Sequence, residues 1–164
     1  MERLIFLDID GVLNTRRSMQ QMRGPNSMMR GYTGLSFDLE AVQWLNYIVD
    51  NSNADIVITS SWKYKGLEAM RNMWTEYAMH GYVKDITPSI QMRRDLFCMR
   101  GMEILKWLSE NYPEGMEQPR YVIIDDGDDF LPEQAEMLVR TNAEVGITKE
   151  DAAKAINILT QIGH

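Results

Sequence analysis

Three short apolar runs along the chain each finish in polar residues: Leu4 to Leu7 before Asp8, Ile56 to Ile58 before Thr59, and Tyr121 to Ile124 before Asp125. Runs rich in Ile and Val that lack polar alternation suit strands covered on both faces, as in a parallel sheet. Helical spacing fills the intervals. Leu39, Val42, Leu45, Ile48 and Val49 share one face after a cap at Ser36 or Asp38, and the pattern fades at Asn51-Ser52-Asn53. A second face comprises Leu67, Met70, Met73, Trp74 and Tyr77, with a stop at His80-Gly81. A third has Met102, Ile104, Leu105 and Leu108 ahead of Pro113. Thr148 and Asp151 form a capping box before Ala152, Ala155, Ile156, Leu159 and Ile162. Val83 and the stretch Val145-Gly146-Ile147 are read as short outer strands.

Strands alternating with helices predict a doubly wound, Rossmann-like α/β parallel sheet with right-handed crossovers. A chain of 164 residues, 45% hydrophobic and 25% charged, suits one globular domain over 1–164, with no repeat or linker to divide it. The net charge of -7 argues against a surface that coats nucleic acid. A local basic stretch nevertheless runs from Arg16 through Arg17 and Arg23 to Arg30 with no acid among them. Cys98 is the lone cysteine, so no internal disulfide is expected. The N-terminal apolar run is too short for a signal peptide or a membrane span, and a cytoplasmic protein with no membrane partner is the expectation. The 13 methionines are read as core filling.

In an open α/β sheet ligands bind beyond the carboxyl ends of the strands, where strand order reverses. Asp8 with Asp10, Thr59 with Ser60, and Asp125 with Asp126 are therefore expected to converge. Asp8 and Asp10 stand two apart and project to one side of an extended segment, and Gly11 lets the backbone turn away and leaves room for a ligand. Clustered carboxylates repel unless a cation joins them. Asp8, Asp10, Asp125 and Asp126 make an oxygen-rich set suited to Mg²⁺, which binds one or two carboxylates, waters and a substrate phosphate. Thr59 and Ser60 offer a hydroxyl and N–H groups to phosphate oxygens at a strand-to-helix turn.

Phe6-Leu7-Asp8-Ile9-Asp10-Gly11-Val12-Leu13-Asn14 resembles the first motif of the haloacid dehalogenase-like (HAD) phosphohydrolases, an apolar strand running into Asp-x-Asp-Gly. Ile56 to Trp62 resembles the second motif, and Val122-Ile123-Ile124-Asp125-Asp126 the fourth in its paired-acid form. The Ser60-Ser61-Trp62 ending, Thr87-Pro88, Arg100 to Ile104 with Trp107-Leu108, and Gly146-Ile147-Thr148 resemble the compact HAD domains associated with phage and bacterial RNA-repair proteins. The phosphatase half of polynucleotide kinase and the small deoxyribonucleotidases are neighbouring comparisons. For the family's third motif, a basic residue, Arg100 fits best by position; Arg93, Arg94 and Lys106 are the alternatives.

The resemblance implies a Mg²⁺-dependent phosphomonoesterase in which Asp8 attacks phosphorus, forms an aspartyl phosphate and is released by water. Asp10 would act as general acid and then base, Thr59 and Arg100 would hold the phosphoryl oxygens, and Asp125 with Asp126 would anchor the ion. Dehalogenases of the family lack the second acid of the first motif, so Asp10 favours phosphoryl chemistry. The alternative from another class is a non-catalytic phosphate- or protein-binding regulator on the same fold. Family members carry cap insertions, and here the segment from Asn14 to Ser36 is long enough for a flap but not for a large cap domain. Such an open site suits a phosphorylated small molecule, a nucleotide or a nucleic-acid end.

Overall fold

The computed structural model describes residues 1–22, 37–90 and 99–161. The predicted cap at Ser36, Arg23 and Arg30 in the basic stretch, the alternatives Arg93 and Arg94, Cys98, and Ile162 of the last helix lie outside the described residues. Among the described residues, five parallel strands form one sheet: β1 (Arg3–Leu7), β2 (Asp55–Ile58), β3 (Val83–Ile86), β4 (Arg120–Asp125) and β5 (Leu138–Arg140). Their order is β3-β2-β1-β4-β5, so the chain builds outward from β1 in one direction and then returns to build in the other. The switch point lies at β1, with Asp8 just beyond its end.

The apolar runs become the central strands because each must fill two opposite layers. Along β1, Ile5 and Leu7 enter the larger core, whereas Leu4 and Phe6 enter the smaller one. Ile56 and Ile58 of β2 and Val122 and Ile124 of β4 join the larger core, with Val57 and Ile123 on the other face. This is the period-two alternation of a strand, hidden in the sequence because both faces are apolar.

The larger core is covered by α2 (Leu39–Ser52), α3 (Leu67–Glu76) and α5 (Lys149–Thr160), through Leu45, Met73, Ala155 and their neighbours. The smaller one is covered by α4 (Met99–Asn111), whose Trp107 packs edge-on against Phe6 at 5.5 Å. A short α1 (Arg16–Met22) follows the first strand's loop. No helix among the described residues is long and apolar enough to cross a membrane.

The local signals act where expected. Asp38 caps α2 by accepting from the Glu40 and Ala41 N–H groups, and Thr148 and Asp151 close a reciprocal capping box on α5. Val83 does begin an outer strand. Val145 to Ile147 does not: Gly146 adopts φ +69° and bonds back to Asn142, while the Ile147 N–H donates to Val12 O. That segment forms a turn against the loop after β1, and the fifth strand is instead Leu138–Arg140. Leu39 and Leu105, placed on apolar helix faces by their spacing, are 73% and 46% exposed.

Candidate active site

Strand register sets the site. Leu7 pairs with Ile58 on one side and with Ile124 on the other, and Ile58 pairs with Ile86. The next residue of each strand therefore stands in one row: Thr87, Thr59, Asp8 and Asp125. Backbone bonds hold this row together, from Thr87 N to Ile58 O at 3.0 Å, Thr59 N to Leu7 O at 2.9 Å, and Asp8 N to Ile124 O at 3.0 Å. All four residues of the row are buried.

Asp8, Asp125 and Asp126 each place a carboxylate oxygen within 4.8 Å of the others. Asp8 Oδ1 accepts from the Ile9 N–H at 2.8 Å and Asp125 Oδ1 from the Gly127 N–H at 2.8 Å. Burial pushes the Asp125 carboxyl up to about 7, and the neighbouring Asp8 charge adds to the rise. Asp8 is also raised, by burial first, with Arg100 pulling the other way. Gathered acids that resist ionisation are the electrostatic signature of a place prepared for a cation.

Among the described residues, Arg100 brings a basic group to these acids. Its Nη1 lies 3.4 Å from Asp8 Oδ1 and 3.4 Å from Asp125 Oδ2. It sits in the first turn of α4, where Asp129 accepts from the Met99 N–H at 2.9 Å and the Arg100 N–H at 3.2 Å. Lys106, by contrast, pairs with Glu110 on the exposed side of the same helix. Thr59 is fully buried, and its Oγ1 has no hydrogen-bond partner among the described residues, an expensive condition that a bound acceptor would relieve. The Ser60 hydroxyl is used within the protein, bonding Asp8 and accepting from the Trp62 N–H that it caps.

Gly11 turns at φ +78°, and a Cβ there would fall 2.2 Å from Asp126 Oδ2. The glycine thus makes room for Asp126 itself. Asp10 is exposed and stands outside the three-carboxylate group; its oxygens accept from Asn14 Nδ2 and from the Trp62 indole N–H, both at 3.1 Å. These two donors hold the Asp10 carboxyl on the rim of the site, apart from the grouped acids.

A family model described as the HAD domain in Swiss Army Knife RNA repair proteins matches residues 4–152. The chain belongs to this family. No significant match was found among curated proteins or solved structures. Membership in the HAD domains supports phosphohydrolase chemistry in general terms, and the row of strand-end residues is where this HAD domain would carry it.

Several residues that build the site had not been singled out in the sequence. Lys63 donates to Glu103 Oε2 at 2.7 Å, Thr87 Oγ1 at 3.2 Å and Pro88 O at 3.2 Å, tying three segments of the HAD domain together beside Arg100. Asp129 carries no local signal either, since its partners at Met99 and Arg100 lie about a fifth of the chain away, and Trp62, quoted with the second motif, gives no hint in the sequence of its bond to Asp10. Arg16 and Arg17, read as part of a basic stretch, are both paired with acids: Arg16 with Glu144, and Arg17 with Asp38 and Glu40.

Proposed function

We propose that the protein is a Mg²⁺-dependent phosphoric monoester hydrolase that acts through an aspartyl phosphate on Asp8, with a nucleotide or nucleic-acid-end phosphate as substrate. One observation carries the reading: Asp8 stands at the switch point of the sheet, grouped with Asp125 and Asp126 and faced by Arg100 at 3.4 Å. A nucleophile, an anion-binding cation and a set of acids short of positive charge meet at one point.

The residues divide the work. An Asp8 oxygen attacks phosphorus and the bond to the leaving oxygen breaks, while Asp10 gives that oxygen its proton. Asp10 then takes a proton from the water that attacks the aspartyl phosphate, which frees Asp8 and inorganic phosphate. Arg100 and the Thr59 hydroxyl hold the phosphoryl oxygens as charge spreads over them. The indole of Trp62 and the amide of Asn14 keep the Asp10 carboxyl aimed at the rim. Asp8, Asp125 and Asp126 fit a divalent ion by donor type, proximity and unmet charge, and Mg²⁺ bound there would neutralise the acids and admit a dianionic phosphate.

The test is hydrolysis of phosphate monoesters by the purified protein, first with chelator and then with Mg²⁺ in excess. Activity that vanishes on chelation and returns with Mg²⁺ supports the reading; a folded protein inert under both conditions contradicts it.

A further inference from the structure

The segment after Thr59 is a 3₁₀ helix, Ser61–Lys65, capped by Ser60. In a 3₁₀ helix residues three apart eclipse one another, so a five-residue stretch presents two distinct pairs. Ser61 and Tyr64 share one face and line a cleft of about 350 Å³ whose wall also includes Thr59 and Arg100. Trp62 and Lys65 share the next face, on the side of Asp10. The Lys65 ammonium lies 4.6 Å from the Trp62 ring centre and 5.9 Å from that of Tyr64.

A lone exposed tyrosine is ordinary, and exposure alone says nothing. The setting of Tyr64 is different. It is 80% exposed on the wall of a cleft that runs to the phosphate-holding residues. The cleft is large enough for a small-molecule moiety beyond the phosphate itself. Its charged walls are already committed, Lys63 to Glu103 and Asp129 to the start of α4. Among the described residues that line the cleft, Tyr64 carries the aromatic ring, and the exposed Lys65 ammonium lies beside it, between the Trp62 and Tyr64 rings. An aromatic ring next to a cation is the combination by which proteins hold a single-stranded nucleic acid, one stacking on a base and the other tracking the backbone.

We propose that Tyr64 is the stacking platform for the base of the terminal nucleotide and that Lys65 pairs with the adjoining backbone phosphate, so that the Ser61–Lys65 turn sets specificity for a nucleic-acid end. The proposal rests on the phosphohydrolase reading and adds its substrate-recognition element. The turn begins two residues after Thr59, so recognition is coupled rigidly to the strand end that holds the phosphate.

The experiment compares kcat/KM for a phosphorylated oligoribonucleotide, bearing the phosphate at either end, with that for glycerol phosphate, which has no base. Tyr64→Ala should lower the oligonucleotide-to-glycerol-phosphate ratio about tenfold, and Tyr64→Phe should hold it within about twofold. Lys65→Gln should reduce the slope of log affinity against log salt by about one for the oligonucleotide. An unchanged ratio in Tyr64→Ala, or equal losses in the Ala and Phe variants, would overturn the stacking assignment. Binding of the same oligonucleotide to Asp8→Asn, with and without Tyr64→Ala, reads the contact without turnover. About tenfold weaker binding is expected, and equal binding would overturn the proposal even in a protein that hydrolyses neither substrate. Failure of the parent to hydrolyse either one would count against the phosphohydrolase reading alone.

Discussion

Lys63 and Glu103, separated by 40 positions in sequence, close a 2.7 Å ion pair with side chains only 9% and 10% exposed. An ammonium has three protons to donate, and Lys63 spends them on Glu103, Thr87 Oγ1 and Pro88 O. Glu103 lies one helical turn beyond Arg100 and also accepts from the Ile90 N–H at 3.3 Å. The pair is therefore a strut that fixes Arg100 against the strand end bearing Thr59. Burial pulls the Lys63 ammonium below its ordinary value, with Glu103 opposing that pull.

Removing one partner of such a pair leaves the other charge buried and uncompensated, at a cost of about 3–5 kcal/mol. Lys63→Met should show that loss in urea unfolding, and Lys63→Met with Glu103→Leu should recover most of it. A single variant that unfolds at the parent's urea midpoint would mean that the pair is solvated and is not a strut.

Asp125 gives the metal-free protein a distinctive pH dependence. Its carboxyl rises from 3.8 to about 7 on folding, so between those values the folded chain holds a proton that the unfolded chain has released. The stability this group contributes is present at low pH and is lost as pH rises through about 7. Thermal melts in chelator should therefore fall from pH 5 to pH 8 in the parent and fall less in Asp125→Asn, which cannot ionise. Adding Mg²⁺ at pH 8 should raise the parent's melting temperature more than the variant's. Parallel pH profiles for the two proteins would argue against an unmet negative charge at the site.

Gly11 makes a sharper claim about Asp126. Gly11→Ala would force a left-handed backbone on a residue with a Cβ and drive that carbon into the Asp126 carboxylate, at a cost of about 1–3 kcal/mol for the backbone alone. Displacing Asp126 should raise the Mg²⁺ concentration needed for half-maximal activity, as should Asp125→Ala. Substituting Asp50, an exposed helical acid that pairs with His80, should not. Equal Mg²⁺ requirements in all three variants would remove Asp125 and Asp126 from the ion site.

The reach of the sequence follows from how local each signal is. β1, β2 and β4 were legible because strands covered on both faces must be uninterrupted runs of residues such as Ile and Val, and the ends of those runs located Asp8, Thr59 and Asp125. The helix caps at Asp38 and Thr148 were legible because capping joins residues within one turn. β5 was not, since three residues, Leu138 to Arg140, carry no pattern of their own and are strand only by pairing with β4. Val145 to Ile147 carried a strand-like composition that the turn at Gly146 overrode. The Lys63–Glu103 pair and the bonds from Asp129 to the start of α4 were not legible because the partners are distant in the chain. Asp10, expected in the ion's group, stands apart from the three grouped carboxylates, and its oxygens accept from two donors, one of them an indole 52 positions away.

The central claim is that Asp8 is the nucleophile, and the most direct measurement is the phosphatase activity of Asp8→Asn in saturating Mg²⁺, with circular dichroism of the same sample. The amide nearly preserves the shape of the side chain but cannot attack phosphorus, so turnover should fall by at least about a thousandfold while the spectrum stays that of the parent. A folded Asp8→Asn protein that keeps a substantial share of the parent's activity would contradict the account.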